Sequence, residues 1–393
     1  MSRAAEVATA AVRDAAAGLV ALSHDVHAHP ETCFEERYSS AVVGAALEGA
    51  GFRVERGVGG LETAFVATAG SGAVRIGICA EYDALPDVGH ACGHNVIAAS
   101  AVGAGIGLAR VADEIGATVV VLGTPAEEGG GGKITMLDAG AFDDLAVAMM
   151  VHPFPRDHLE ARCLAVDHLD VTYTGKEAHA SAAPWAGVNA SDAMTVALVA
   201  IGLLRQQLPP GDQVHGVVTE GGVAANISPA HVTGRFMCRS VDEERLRALR
   251  ARVDACFKAG ALSTGAAMEI DLLGLSYSHM VSDPALLGAY RVHAEALGRR
   301  FDADDAGEPL PTISTDMANV SLRVPTIHPM LGIDAEGAVN HQHAFAAACV
   351  TPSADRAVLD GAVALALTGI DVATDATLRE RLGAAIGRQP PGR

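Results

Sequence analysis

The segment Gly89-His90-Ala91-Cys92-Gly93-His94-Asn95 sets a thiol and two imidazoles within five residues. In a locally extended loop, side chains two apart point the same way, so Cys92 and His94 are spaced to grip one ion, with His90 also eligible. The run Asn95 to Arg110 reads as a helix with Asn95 as N-cap. A helix N-terminus there favours the thiolate of Cys92, the form that binds metal. A second acidic element, Thr124-Pro125-Ala126-Glu127-Glu128-Gly129, follows the strand-like run Thr118–Leu122. Adjacent glutamates in irregular backbone can diverge, so that one binds metal while the other serves as general base. His152 stands at a strand end before Pro153, and His341 and His343 share a polar loop. Asp83, in Glu81-Tyr82-Asp83-Ala84-Leu85-Pro86, is placed to orient a ligating imidazole. The glycines Gly129–Gly132 before Lys133 look like a phosphate loop, but Glu127 stands where that pattern needs Gly and Ile134 where it needs Ser or Thr.

These residues need a scaffold, and the chain is long enough for two. At 393 residues it exceeds the usual span of one core. Half the residues are apolar and only 4% aromatic, with 43 glycines, which suits a compact α/β protein with many tight turns. A net charge of −19 argues against nucleic acid and anionic membrane as partners; it is weakly compatible with a cationic substrate, and simple solubility is the readier reason for it. The seven cysteines are scattered, odd in number and contain no CxxC pair, which points to a reducing compartment. The N-terminal Arg3, Glu6, Arg13 and Asp14 recur at helical intervals and read as an amphipathic helix, not a signal peptide. The apolar run Ala193–Leu204 is too short to span a bilayer. A soluble cytoplasmic protein is expected.

Up to about residue 165, helical runs alternate with β-rich runs at Glu62–Thr68, Arg75–Tyr82, Thr118–Thr124, Ala146–Val151 and Leu159–Val166. That alternation suggests a sheet between helices. The next stretch has another rhythm. Leu169–Thr174, Gln213–Thr219, His231–Arg239 and Met268–Leu273 read as strands, Asn189–Gln207 and Asp242–Gly260 as helices. The order βαββαβ is that of a ferredoxin-like unit. The α/β rhythm then returns, with a helix at Pro284–Arg299, a strand near Val324–Met330 and a helix near Ser353–Gly369. The expected fold is therefore an α/β/α catalytic domain, residues 1–166 and 282–393, interrupted by an inserted α+β domain, residues 167–281. The tail after Gly387 is expected to be frayed.

Asp83, Cys92 with His94, Glu127 with Glu128, His152 and His341 occur in an order that resembles the co-catalytic metallopeptidases, the family of aminoacylases, carboxypeptidase G and succinyl-diaminopimelate desuccinylase. More narrowly it is similar to the amidohydrolase branch with an HACGH motif. His29-Pro30-Glu31, Gly175 to Ser181 (GKEAHAS), Asn226-Ile227-Ser228-Pro229 and Ser314-Thr315-Asp316-Met317 extend the resemblance over nearly the whole chain. The resemblance implies a zinc-peptidase-like catalytic domain whose inserted domain serves as lid and dimerisation surface. It implies two divalent ions, Zn²⁺ or Mn²⁺, bridged by Cys92 and completed by His94, Glu128, His152 and His341. His341 suits the family pattern better than His343, because it stands four residues before Phe345. Glu127 would be the general base. His179 would reach across a homodimer to stabilise the oxyanion, and Asn226 and Arg239 would hold the substrate amide or carboxylate. Asn95 and Glu81 stand where many members carry Asp, a combination similar to the aminobenzoyl-glutamate hydrolases and the β-alanyl-lysine type of dipeptidase.

The implied reaction is hydrolysis of an amide bond in a small dipeptide or N-acyl amino acid by a metal-activated water. Two other readings compete. A cysteine hydrolase with Cys92 as nucleophile and His94 or His90 as base would leave Glu127 and Glu128 without a role. A non-catalytic metal-binding relative would have no need of the base.

Overall fold

The computed structural model of the protein describes residues 2–302, 306–307 and 310–386; the tail after Gly387 lies outside them. The chain divides into two compact units, residues 1–162 with 280–393, and residues 163–279. Both junctions fall a few residues before the positions read from the sequence.

The first unit is built on a six-stranded sheet. Its strands are β1 (Arg53–Arg56), β2 (Phe65–Gly70), β3 (Val74–Glu81), β4 (Ala117–Thr124), β5 (Val147–Met149) and β6 (Thr326–Ile327), in the order β1-β2-β4-β3-β5-β6. The four from β4 to β6 run parallel, and β2 and β1 add antiparallel at one edge. Every residue of β4 is buried, as expected of a central parallel strand covered on both faces. Its alternate side chains enter different cores. Val119 and Val121 join the cluster beneath the helices Arg3–Asp14, Ala16–Ala28, His94–Ala109 and Pro352–Thr374, whereas Val120 and Leu122 join Met136, Phe142 and Met317 on the other face. This is the expected α/β/α sandwich. The helix Pro352–Thr374 packs along His94–Ala109. The contact is close: a Cβ on Gly103 would lie 2.7 Å from Ala362 Cβ. Pro352–Thr374 is also long and apolar enough to cross a membrane, a length that the run Ala193–Leu204 lacks, but most of it is buried in this core.

The second unit has a four-stranded antiparallel sheet in the order Ala267–Leu272, Ala165–Thr174, His231–Ser240, Gln213–Glu220. The helices Ala190–Arg205 and Glu243–Thr264 pack on one face, over Leu169, Val171, Tyr173 and Phe236, with Phe257 of the second helix against Phe236. This is the ferredoxin-like βαββαβ order. Its helices begin where the sequence supplies caps: Asn189 accepts from the Ser191 N–H at 2.9 Å, and Asp242 from the Arg245 N–H at 2.7 Å.

Several boundaries differ from expectation. The strand expected at Leu159–Val166 does not form as such; Ala165–Thr174 is continuous and pairs along its whole length with His231–Ser240. Asp167 and His168 look like a break in the sequence. Asp167 is instead satisfied inside the unit by Arg250 (3.2 Å) and the Ser276 hydroxyl (2.6 Å). The expected strand Val324–Met330 splits into β6 and Met330–Gly332, with His328 and Pro329 between them. The strand Arg53–Arg56 and the helix Ala376–Ile386 had no counterpart in the sequence reading.

Candidate metal centre

The chemistry gathers at the C-terminal ends of the parallel strands, where open α/β sheets place their sites. β3 runs into Glu81-Tyr82-Asp83, and β4 into the loop bearing Glu127 and Glu128. His152 opens a short strand, His152–Phe154, that pairs in parallel with Met330–Gly332 just beyond β6.

The HACGH segment is not an extended loop. Gly93 adopts φ 78° and caps the helix His94–Ala109, so His94 is already helical. Only glycine fits there, because a Cβ would sit 2.7 Å from Pro153 Cγ. Asn95 is therefore not the N-cap. It is buried in the first turn, and its Nδ2 donates to Ser23 Oγ and to the Cys349 carbonyl, each at 2.9 Å.

Ligand atoms of Cys92, His94 and His152 lie within 4.8 Å of one another, as do those of Cys92, Glu128 and His341. The two trios share Cys92. His341 has φ 70° and a mostly exposed side chain, and its N–H donates to the Ala91 carbonyl at 2.9 Å, which ties its loop to the Cys92 turn. His343 opens the helix His343–Ala348 and is exposed; His90 is buried beside His27. Neither belongs to a trio among the described residues.

Asp83 ties the two trios together. Its Oδ1 lies 3.0 Å from His94 Nδ1, and its Oδ2 accepts from the Glu128 N–H at 2.9 Å and from the Cys33 thiol at 3.7 Å. A carboxylate beside Nδ1 makes that nitrogen a donor and aims Nε2 at the cluster; although burial opposes it, Asp83 and then Cys92 and Glu81 raise the ring well above its usual value, so an incoming ion displaces a proton from Nε2. His94 Nε2 and Glu128 Oε1 are both buried without a hydrogen-bond partner. His152 Nδ1 lies 2.8 Å from the Pro153 carbonyl, which likewise leaves Nε2 as the acceptor.

Burial shapes the protonation of these groups. It would raise the Asp83 carboxyl, but His94, the Glu128 N–H and Lys133 hold it down at about 2. Burial and then Glu128 push the Cys92 thiol well up. Burial, with His328 and His94, pushes His152 well down, towards the neutral ligand form. Burial, then Glu81 and Glu128, raises Glu127, the direction a proton shuttle needs. A thiol, three imidazoles and a carboxylate, with buried atoms of His94 and Glu128 left without hydrogen bonds, fit a pair of divalent cations.

The glutamate loop is held from a distance. Ala126 has φ 59°, its N–H donates to Glu36 Oε1 at 2.9 Å, and its carbonyl accepts from Gly130 and Gly131. Glu36 is itself buried, and Thr63 donates to its Oε2 at 2.8 Å. Glu36, Glu81, Lys133, Asp316 and His328, whose ring centroid lies 5.4 Å from that of His152, were not picked out by sequence reasoning as site residues. Their positions at strand and helix ends were the available signal.

His179, Asn226 and Arg239 belong to the inserted unit. It brings the first two together: the Ala180 N–H donates to the Asn226 carbonyl at 3.0 Å, and His179 forms a β-bridge with Ile227. His179 is exposed, and its Nδ1 accepts from the N–H groups of Ser181 and Ala182, each at 3.2 Å. Arg239 is half-buried on the strand His231–Ser240, with Nη2 3.9 Å from Met237 Sδ.

A family model described as Peptidase family M20/M25/M40 matches residues 77–358, a span that holds both trios. The chain belongs to this family. The mouse Xaa-Arg dipeptidase is 38% identical over 376 residues, covering 92% of this chain and 87% of that protein. A p-aminobenzoyl-glutamate hydrolase component from Escherichia coli is 32% identical over 262 residues, 61% of this chain and 54% of that protein. Among solved structures, the YXEP protein of Bacillus subtilis, a dinuclear metal binding peptidase of the M20 family, matches with TM-score 0.69 at 21% identity, covering 92% of this chain and 99% of that one. An aminobenzoyl-glutamate utilization protein from Klebsiella pneumoniae also matches with TM-score 0.69, at 20% identity over 91% and 96% of the two chains. These last two likenesses concern the fold.

Proposed function

We propose that this M20-family chain is a dipeptidase that cleaves the amide bond before a basic C-terminal residue, with two divalent ions, Zn²⁺ or Mn²⁺. The observation that carries the reaction is the pair of ligand trios meeting at Cys92, with Glu127 beside them. The preference for a basic residue is supported by 38% identity to an Xaa-Arg dipeptidase along nearly the whole chain, and by a net charge of −19.

Cys92, His94 and His152 would hold one ion, and Cys92, Glu128 and His341 the other. When bound, such ions polarise a scissile carbonyl and acidify water. Glu127, buried and raised in pKa, takes the proton of the attacking water and passes it to the leaving amine. Asp83 holds the His94 ring and the Glu128 backbone in place. In this reading His179 of a second copy would steady the oxyanion, and Asn226 and Arg239 would bind the substrate amide or terminal carboxylate.

A homodimer formed through the inserted unit is part of the same reading. It is supported by the edge strand Gln213–Glu220, which exposes Val217 and Val218, and by exposed Val199 and Leu203 on the helix Ala190–Arg205. Seven free cysteines support a cytoplasmic location.

The test is hydrolysis of Xaa-Arg, Xaa-Lys, β-alanyl and aroyl-glutamate amides with added Mn²⁺ or Zn²⁺. Faster release of Arg or Lys than of other residues is expected, and Glu127→Ala should lose turnover while keeping its ions. Release of aminobenzoate in preference to Arg or Lys would replace the substrate assignment. Full activity in Glu127→Ala would refute the mechanism.

A further inference from the structure

Beneath the two trios lies a fully buried ion triad. Lys133 Nζ is 2.5 Å from Glu81 Oε1 and 2.5 Å from Asp316 Oδ1, and all three side chains are inaccessible. The Lys133 N–H also donates to Asp316 Oδ2 at 2.9 Å, so the ammonium is fixed by its own backbone as well as by its charge. Two carboxylates against one ammonium leave a buried negative charge that faces the His94 ring, a group that must give up its own Nε2 proton to bind an ion. Such a charge is costly unless a cation meets it.

The surplus has a location. Glu81 Oε2 is buried and has no hydrogen-bond partner. It lies 3.4 Å from His94 Nε2, and Glu81, His94 and Glu127 present ligand atoms within 4.8 Å of one another. The His94 ring therefore has a carboxylate on each side, Asp83 at Nδ1 and Glu81 at Nε2. The two contacts differ in kind. At 3.0 Å the first is a hydrogen bond. The second, at 3.4 Å, forms none and matches the spacing of two atoms bound side by side to one ion. With bonds of about 2.1 Å and a tetrahedral angle, two such ligand atoms stand about 3.4 Å apart.

We propose that Glu81 is a further ligand of the centre: its Oε2 binds, beside His94 Nε2 and on the side where Glu127 lies, the ion that His94 holds, and Lys133 with Asp316 fixes it there. Lys133 and Asp316 are then positioning residues. The inference rests on the two-ion reading above.

The experiment is an equilibrium titration of the metal-depleted protein with Co²⁺, read by bound-metal analysis and by the visible spectrum. Far-UV circular dichroism serves as the check on folding. Wild type should take up two ions. Glu81→Gln keeps the shape and an oxygen for Lys133; it should bind one ion at least about 10-fold more weakly. Its ligand-field bands should change while the thiolate-to-cobalt band of Cys92 persists. Glu81→Asp keeps the charge near Lys133 but is one methylene short, and it should show the same loss. Wild-type affinity and spectrum in Glu81→Gln would overturn the proposal. So would full recovery in Glu81→Asp, which would show that nearby charge suffices without a bond. Should Glu81→Gln not fold, Glu81→Asp decides alone by the same criterion. A wild-type chain that binds no Co²⁺, or a Cys92→Ser variant that retains both ions, would instead overturn the two-ion reading itself.

Discussion

Asp83→Asn is the most searching single perturbation of this centre, because one carboxylate supports both trios. The exchange keeps shape and volume. It removes the charge 3.0 Å from His94 Nδ1 and weakens the acceptor that holds the Glu128 N–H at 2.9 Å. The folded protein holds the Asp83 carboxyl at about 2 against an ordinary 3.8, although burial opposes this. A gap of that size corresponds to about 2.5 kcal/mol in favour of the folded, ionised form. A depressed carboxylate contributes above its unfolded value and loses the contribution as pH falls through its folded value. The stability difference between wild type and Asp83→Asn should thus be level above pH 4 and shrink towards pH 2, which urea unfolding across that range would measure. Metal affinity should fall about 10- to 100-fold, because the amide no longer fixes the His94 tautomer that presents Nε2 to the cluster. Bound-metal analysis after dialysis against a graded chelator reads this directly. An Asp83→Asn protein that matches wild type in ion affinity and in its acid unfolding curve would refute the assignment of Asp83 as the support of His94.

Three other outcomes follow from the same geometry. Because burial and Glu128 push the Cys92 thiol well up, ion uptake must strip its proton; adding Zn²⁺ in weak buffer should acidify the solution, and Cys92→Ser should release about one proton fewer per chain. Burial raises the Glu36 carboxyl to about 7 from an ordinary 4.5, so the folded state holds that proton more tightly and wild type should lose about 3 kcal/mol relative to Glu36→Gln as pH rises through this window. Parallel stability curves for the two proteins would contradict it. In Gly132→Ala the new Cβ would meet the Pro125 carbonyl oxygen at 2.0 Å, so the loop bearing Glu127 and Glu128 must shift; a loss of about 1–3 kcal/mol in chemical denaturation is expected, together with lower turnover.

The sandwich was legible because β3 and β4 are apolar runs between amphipathic helices, and because the inserted unit announces its helices with Asn189 and Asp242 caps. The trios were legible because Cys92, His94, Glu128, His152 and His341 each stand just past a strand or in a loop. Less legible were features decided by distant partners. Asn95 reads as an N-cap until the structure shows Gly93 in that role and Ser23 and the Cys349 carbonyl as its partners. Lys133 reads as a residue after a glycine run, and only the fold brings it to Asp316, 183 positions away. Asp167 looks like a strand breaker because its partners Arg250 and Ser276 are remote in sequence. A pattern of residue types reports which groups are present. It does not report which buried charges will face one another.

That distinction bears on why the centre is built as it is. Glu81, Asp83, Glu127, Glu128 and Asp316 are five buried or nearly buried carboxyl side chains beside the Cys92 thiol, and Lys133 is the ammonium set among them. Buried charge is tolerated when paired. Asp83 and Asp316 are hydrogen-bonded by His94 and Lys133, but Glu128 Oε1 and Glu81 Oε2 accept no hydrogen bond and share the same two cations. The sequence therefore places more acidic groups at the ends of β3 and β4 than His94 and Lys133 there can neutralise, and burial raises Glu127 and Glu128 accordingly. Divalent ions supply the remainder, and any ion that binds the folded chain and not the unfolded one stabilises it in proportion to the logarithm of its free concentration over its dissociation constant. The acids that make the centre a strong ligand set are the same ones that oppose folding when protons are their only alternative. Selection for ion affinity and selection for a stable fold thus act on one group of residues, with Asp83 and Lys133 as the side chains through which the two demands meet.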